Sequence, residues 1–194
     1  MERKGTLFVL LTALLILVAI WFLAGVIVSM GVEQVDYTLM EELGEDVEIR
    51  HYGESTFISA DEDDSNSAFR LLFNYISGKN EQSKKIPMTA PVISQQDGDT
   101  MHMSFILPKD HDSESAPSSM VEGIIIHDVG PRKVATVKFY GYVTNSKIES
   151  HRAILEAKLS ENGLKPKGDI FLMSYNPPWV PPIIMKNELA VEIE

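Results

Sequence analysis

The chain contains no cysteine. That excludes disulfides, thiolate metal centres and cysteine nucleophiles. Familiar catalytic signatures are missing too: no Gly-x-Ser-x-Gly elbow, no His-Glu-x-x-His and no glycine-rich phosphate loop. The sequence therefore reads as a binding protein, not an enzyme. Positive charge is scarce. Seventeen Lys and Arg stand against 28 Asp and Glu, a net charge of −11. So acidic a surface repels phosphate backbones, which argues against nucleic acid as a partner. Tryptophan occurs only twice, as Trp21 and Trp179.

A further absence is local. From Gly5 to Val32 no residue is charged: GTLFVLLTALLILVAIWFLAGVIVSMGV. As a helix, this run exceeds the roughly 20 residues needed to cross a hydrocarbon core of about 30 Å. Arg3 and Lys4 precede it, Glu33 and Asp36 follow it, and the next basic residue is Arg50. That bias predicts an uncleaved, single-pass anchor with its N-terminus in the cytoplasm and the rest of the chain outside. A cleaved signal peptide is the alternative. Its apolar core is shorter, about 7–15 residues, and Ala24, Gly25 and Ser29 offer only a weak cleavage site. Residues 1–32 are thus expected to be stub and anchor, and 33–194 one soluble domain.

Within that domain, VEIRHY (47–52) and STFISADE (55–62) have strand character about a turn at Gly53. The segment DSNSAFRLLFNYISGKN predicts a helix capped by Ser65 or Asn66. Phe69, Leu72, Phe73 and Ile76 form its stripe, and Gly78 marks its stop. The acids Asp61, Glu62, Asp63 and Asp64 precede that helix, where its dipole favours negative charge. Strands follow at 86–94 and 101–107, then a polar loop at 109–119. The order then recurs: strands at 123–129 and 132–141, a helix at 146–163, and strands at 169–175 and 188–194 around NPPWVPP. Two β-β-α-β-β units predict an α+β domain. Its sheet is antiparallel, curved or closed into a distorted barrel, and flanked by two helices, with the halves related by a pseudo-twofold axis.

One stretch is unlike an ordinary strand. KKIPMTAPV (84–92) holds two prolines, which lack the ladder donor. Placed after a helix ending YISGKN, KIPMTAPV resembles the signature of the SOUL/heme-binding protein family. VEIRHY, RKVATVKFYG, and YNPPWVPP followed by KNELAVEIE are similar to motifs of that family, in the same order. The resemblance spans Val35 to Glu194. It implies a duplicated α+β barrel with two flanking helices, in agreement with the repeat. In such a fold Pro87 and Pro91 are architectural, sitting at an edge or bulge and turning Met88 and Val92 inward. Trp179, on a loop stiffened by four prolines, is either a core plug or a wall for a flat ligand.

The resemblance also implies a ligand: heme or a related tetrapyrrole, held as a non-catalytic cofactor for transport, storage or buffering. Such a plate needs an apolar slot and cations at its rim. The expected slot lies between the first helix of the domain and the proline-rich loop. Phe69, Leu72, Phe73 and Ile76 supply one wall, and Trp179, Val180 and Met185 the other. Arg70 and Lys186 meet the propionates. His51 is the first candidate for an axial iron ligand. His111 lies in a polar loop, and His151 falls on the core stripe of the second helix. Two other readings stay open. The duplicated unit is similar to effector-binding domains that take up flat apolar cations, which a buried carboxylate at Glu48 or Glu188 would mark. A membrane-tethered interaction module would instead show an exposed Trp179 with no pocket behind it.

Overall fold

The computed structural model describes residues 2–194. α1 (Glu2–Gly31) is one helix of 30 residues, and Val32 alone separates it from β1 (Glu33–Gln34). Then come β2 (Tyr37–Gly44), β3 (Val47–Tyr52), β4 (Ser55–Glu62), α2 (Ser65–Ile76), β5 (Thr89–Ala90), β6 (Val92–Asp97) and β7 (Thr100–Ile106). The second unit is β8 (Ile124–Val129), β9 (Arg132–Tyr140), α3 (Asn145–Glu161), β10 (Pro166–Ser174) and β11 (Lys186–Ile193). A 3-10 turn at Pro182–Ile184 precedes β11.

Nine strands form one antiparallel sheet in the order β2-β3-β9-β11-β10-β6-β7-β4-β8. With β2 set aside, that order is its own mirror once each strand is exchanged for its counterpart in the other unit. β3 exchanges with β8, β4 with β9, β6 with β10 and β7 with β11. The expected pseudo-twofold axis is therefore present and passes between β6 and β10. The sheet is curved but not closed, with β2 and β8 as its edges.

The α2 cap is Asp64, one residue before the expected pair. Its backbone is extended, and its carboxylate accepts from the amides of Asn66 and Ser67. Asp64 wins because it offers a charged acceptor to the helix N-terminus. The IPMTAPVIS segment is not one strand. Its proline nitrogens cannot donate, so the ladder splits into β5 and β6. The Ala90–Pro91 bond is cis. β5 pairs in parallel with β1, Thr89 against Glu33 and Ala90 against Gln34. Met88 and Val92 do pack inward, against the α2 cluster.

Each helix covers its own half. α2 buries Ala68, Leu72, Tyr75 and Ile76 with Ile58, Met103 and Phe105. α3 buries Leu155 and Leu159 on Val47, Ile49, Val137 and Val191. Each fully buried leucine here contributes about 1.5–3 kcal/mol over exposure. Residues of opposite parity on the second-half strands, among them Val134, Met173 and Ala190, meet Val32, Val35 and Ala90. The segment leaving α1 is therefore part of the domain core.

Candidate functional site

The sequence-derived slot residues fall on two surfaces. α2 packs on β4 and β7. Its Leu72 and Ile76 are buried, whereas Phe69 and Phe73 are 37% and 46% exposed. The two exposed rings stack, with centroids 5.8 Å apart and planes 12° from parallel, and Phe69 sets its edge on Phe105 at 5.2 Å. Such offset stacking adds to burial and leaves one aromatic face to solvent. Arg70 beside them is exposed and makes no ion pair among the described residues.

The proline-rich loop packs instead on β9 and α1. Val180 and Met185 are buried, and Trp179 is 48% exposed. The carbonyl of Trp179 accepts from Trp21 Nε1 at 2.8 Å. Lys186 is already committed. Its Nζ lies 3.0 Å from Glu188 Oε1 and 3.9 Å from the centroid of Tyr175. Of the two expected rim cations, Arg70 is thus the one available to an anion.

A cavity of about 740 Å³ opens at the seam where the sheet fails to close. β2 and β3 border it on one side, β4 and β8 on the other. His51, Tyr37, Asp36, Thr56, His111 and Asp128 are among its walls. His51 is exposed there. His111 is not: its side chain is 4% exposed, and its Nδ1 lies 2.9 Å from Asp110 Oδ1. Its Nε2 is buried and has no hydrogen-bond partner. Thr56 Oγ1 donates to Asp128 Oδ1 at 2.7 Å, and the Ser113 hydroxyl donates to Oδ2. Those two hydroxyls, Ser113 first, hold Asp128 below the usual carboxylate range. The sequence gives little sign of His111, since DHDSES reads as solvated loop. The one hint is apolar Ala116 a turn later, which is also buried.

The two carboxylates singled out for a cationic ligand behave differently. Glu188 is fully buried; Glu48 is partly exposed. Arg50, itself buried, donates to both Glu188 oxygens at 2.7 and 2.9 Å and to Glu48 Oε2 at 2.7 Å. Tyr175 donates its hydroxyl to Glu188 Oε2 at 2.6 Å. Burial alone would raise the Glu188 pKa, but the hydrogen bonds and charge of Arg50 hold it below its ordinary value. The same burial drives the Tyr175 hydroxyl far upward, Glu188 adding to it. This carboxylate is satisfied by the chain's own cations. Among the described residues no group of three His, Cys, Asp or Glu is placed to hold a metal ion.

The chain is similar to several known proteins. Heme-binding protein 2 of Homo sapiens is 31% identical over 129 residues, covering 60% of this chain and 62% of that protein. The chain thus spans less than two thirds of that relative's length. Heme-binding protein 2 of Mus musculus is 28% identical over 169 residues, covering 75% of this chain and 80% of that one. Among solved structures, the EcmrR C-terminal domain superposes with a TM-score of 0.57 at 12% identity, covering 81% of this chain and 98% of that one. A hydrolase from Listeria innocua does so with a TM-score of 0.55 at 13% identity, covering 77% and 92%. At these identities the structural likeness is one of fold alone. Residues 32–192, almost everything beyond α1, match the family model described as SOUL heme-binding protein, and the chain belongs to that family.

Proposed function

We propose that this chain is a membrane-anchored tetrapyrrole-binding protein that holds heme reversibly, for transport, storage or buffering, without transforming it. The family match over residues 32–192 carries the reading. The human and mouse relatives are named for heme binding. The anchor rests on α1. Its segment Val9–Gly31 is long and apolar enough to cross a membrane, with a mean hydropathy of 2.8, and only 6% of it is buried against the protein. The positive charge ahead of it puts the N-terminus in the cytoplasm and residues 33–194 outside.

The residues on α2 fit the ligand. A porphyrin is a flat apolar plate with carboxylates at one edge. The Phe69–Phe73 face receives the plate, and the unpaired guanidinium of Arg70 receives a propionate. Leu72 and Ile76 hold that face in place from beneath. When bound, heme brings an iron with open axial positions and a strong visible absorbance. A second placement, in the seam cavity, is favoured by one observation: the unpartnered Nε2 of His111, with His51 lining the same cavity from the β3 side. Imidazole is a common axial donor to heme iron. Five acidic residues line that cavity, Glu33, Asp36, Glu54, Asp112 and Asp128, against Lys109, so its walls would repel propionates and the histidines would have to hold the group.

Titration of the full chain in lipid nanodiscs with hemin, followed at the Soret band, tests this. A saturable shift is expected. Phe73→Asp raises the Kd about tenfold, the loss of about 1.4 kcal/mol of contact, if the ring lies on α2. His111→Ala changes the spectrum if the iron lies in the seam. A wild-type chain that shows no saturable shift sinks the heme reading.

A further inference from the structure

Two loops at one end of the sheet lack charge of their own, with Lys147, whose Nζ donates to the Tyr140 carbonyl, and Asp46, paired with Lys138, beside them. At the end where β9 and β10 finish lie Tyr140–Thr144 and Tyr175–Met185, and neither segment contains a charged residue. The two segments touch: the amide of Gly141 donates to the carbonyl of Met185 at 2.9 Å. Their large exposed side chains are Tyr140, Tyr142, Val143, Trp179 and Ile183, the last 75% exposed. β6 runs antiparallel to β10, so the counterpart loops lie at the opposite end. There the chain places Asp61, Glu62, Asp63, Asp64, Asp97 and Asp99.

α1 docks on the uncharged proline-rich loop. Trp21, Gly25 and Ser29 recur every four residues and share one helix face. Trp21 Nε1 donates to the Trp179 carbonyl, and Asn176 Nδ2 donates to Ser29 Oγ at 2.7 Å. Gly25 meets Pro181 so closely that a Cβ there would lie 2.5 Å from Pro181 Cδ. The helix is longer than a bilayer requires. From Gly5 to Gly31 it rises about 39 Å, against a hydrocarbon core of about 30 Å. From Gly5 to Trp21 it rises about 24 Å. The last turns of α1 therefore stand clear of the hydrocarbon. Trp21, with Trp179 against it, falls about 6 Å inside the far boundary of that core, just beneath the interfacial level where Trp is enriched.

The loop backbone suits that depth. Pro177, Pro178, Pro181 and Pro182 have no amide hydrogen. The amides of Val180, Ile184 and Met185 donate to the carbonyls of Pro177, Pro181 and Pro182. Few bare donors are left to face lipid, where each unsatisfied group costs several kcal/mol.

We propose that these uncharged loops are a second membrane contact, in which the proline-rich loop and the Tyr140–Val143 turn rest in the lipid interface of the leaflet from which α1 emerges. Trp179 and Ile183 sit below the headgroups, and the acidic loops after β4 and β6 point away from the bilayer. The proposal rests on the reading that α1 crosses the membrane. Because the chain has two tryptophans, each can be made the only one. The full-length Trp21→Phe variant leaves Trp179 as reporter, and Trp179→Phe leaves Trp21. Both are reconstituted in phosphatidylcholine vesicles brominated either near the headgroup or near the chain ends. The expected result is a blue-shifted Trp179 emission that loses more intensity to shallow bromines than to deep ones and little to aqueous iodide. If iodide quenches Trp179 and neither brominated lipid does, while Trp21 is quenched by bromine, α1 crosses but the domain stands off, and this proposal alone is overturned. If Trp21 also escapes both brominated lipids, the crossing reading fails, and the second contact fails with it.

Discussion

The two β-β-α-β-β units share a topology but not a chemistry. In the first, the loops closing β4 and β6 are acidic, and the helix keeps a stacked aromatic pair in solvent. In the second, the matching loops are uncharged and apolar, and the helix is largely polar, burying only Leu155 and Leu159. The two units share a backbone plan, and each has its own surface. The first half exposes an aromatic face, and the second lies against α1. The halves are joined in the interior by one ion cluster, with Arg50 from the first and Glu188 from the second.

Breaking that junction is expected to have the largest effect. Arg50→Ala leaves Glu188 buried, with Lys186 as its remaining ion-pair partner among the described residues. The expected cost is about 3–5 kcal/mol, read from urea denaturation of the full chain in micelles. A loss below about 1 kcal/mol would mean the halves do not depend on the pair. The helix contacts come next. Leu72 and Leu155 are both fully buried. Truncating either to Ala is expected to cost about 2–5 kcal/mol, alike in the two halves despite their different helices. A large inequality would show that one unit carries the stability.

Acid sharpens the comparison further. The Glu188 pKa lies below its ordinary 4.5 in the fold, so as pH falls the unfolded chain takes up the proton first. Its stabilisation is complete above about 4.5 and is lost as pH drops through the lower folded value. Glu188→Gln should therefore flatten the acid limb of the stability profile. Thr144, whose hydroxyl accepts from the Lys147 amide, caps α3 as Asp64 caps α2. Thr144→Ala is expected to cost about 1 kcal/mol. The smallest stability change belongs to Phe73→Ser, within about 0.5 kcal/mol as for other exposed positions, although it removes half of the aromatic face.

Much of the fold was legible because burial imposes a period. VEIRHY, STFISADE and both domain helices bury alternate or helically spaced residues, and they lie within a few residues of where the sequence places them. β2 gave no such signal. Nearly all of Tyr37–Gly44 is exposed, so no hydrophobic alternation marks it. The split of IPMTAPVIS into β5 and β6 was foreshadowed by its prolines, but its parallel partner β1 lies more than 50 residues away and leaves no local trace. The site was less legible for a related reason. Phe69, Leu72, Phe73 and Ile76 share a stripe, yet only the fold decides which two go under and which two stay out. His111 sits among polar neighbours, and it is the surrounding loop and strands that bury it.

One feature of the chain path changes how such a protein meets its surroundings. Val32 is the whole distance between α1 and a strand already paired to the domain. An anchor followed by a flexible linker lets its domain sweep a volume that grows with linker length. With none, helix and domain turn as one body, like a shaft and its head. Under the proposed anchoring, cargo or partners would then arrive by diffusion along the membrane or from solution. A bilayer whose thickness changes the helix tilt would carry the domain round with it.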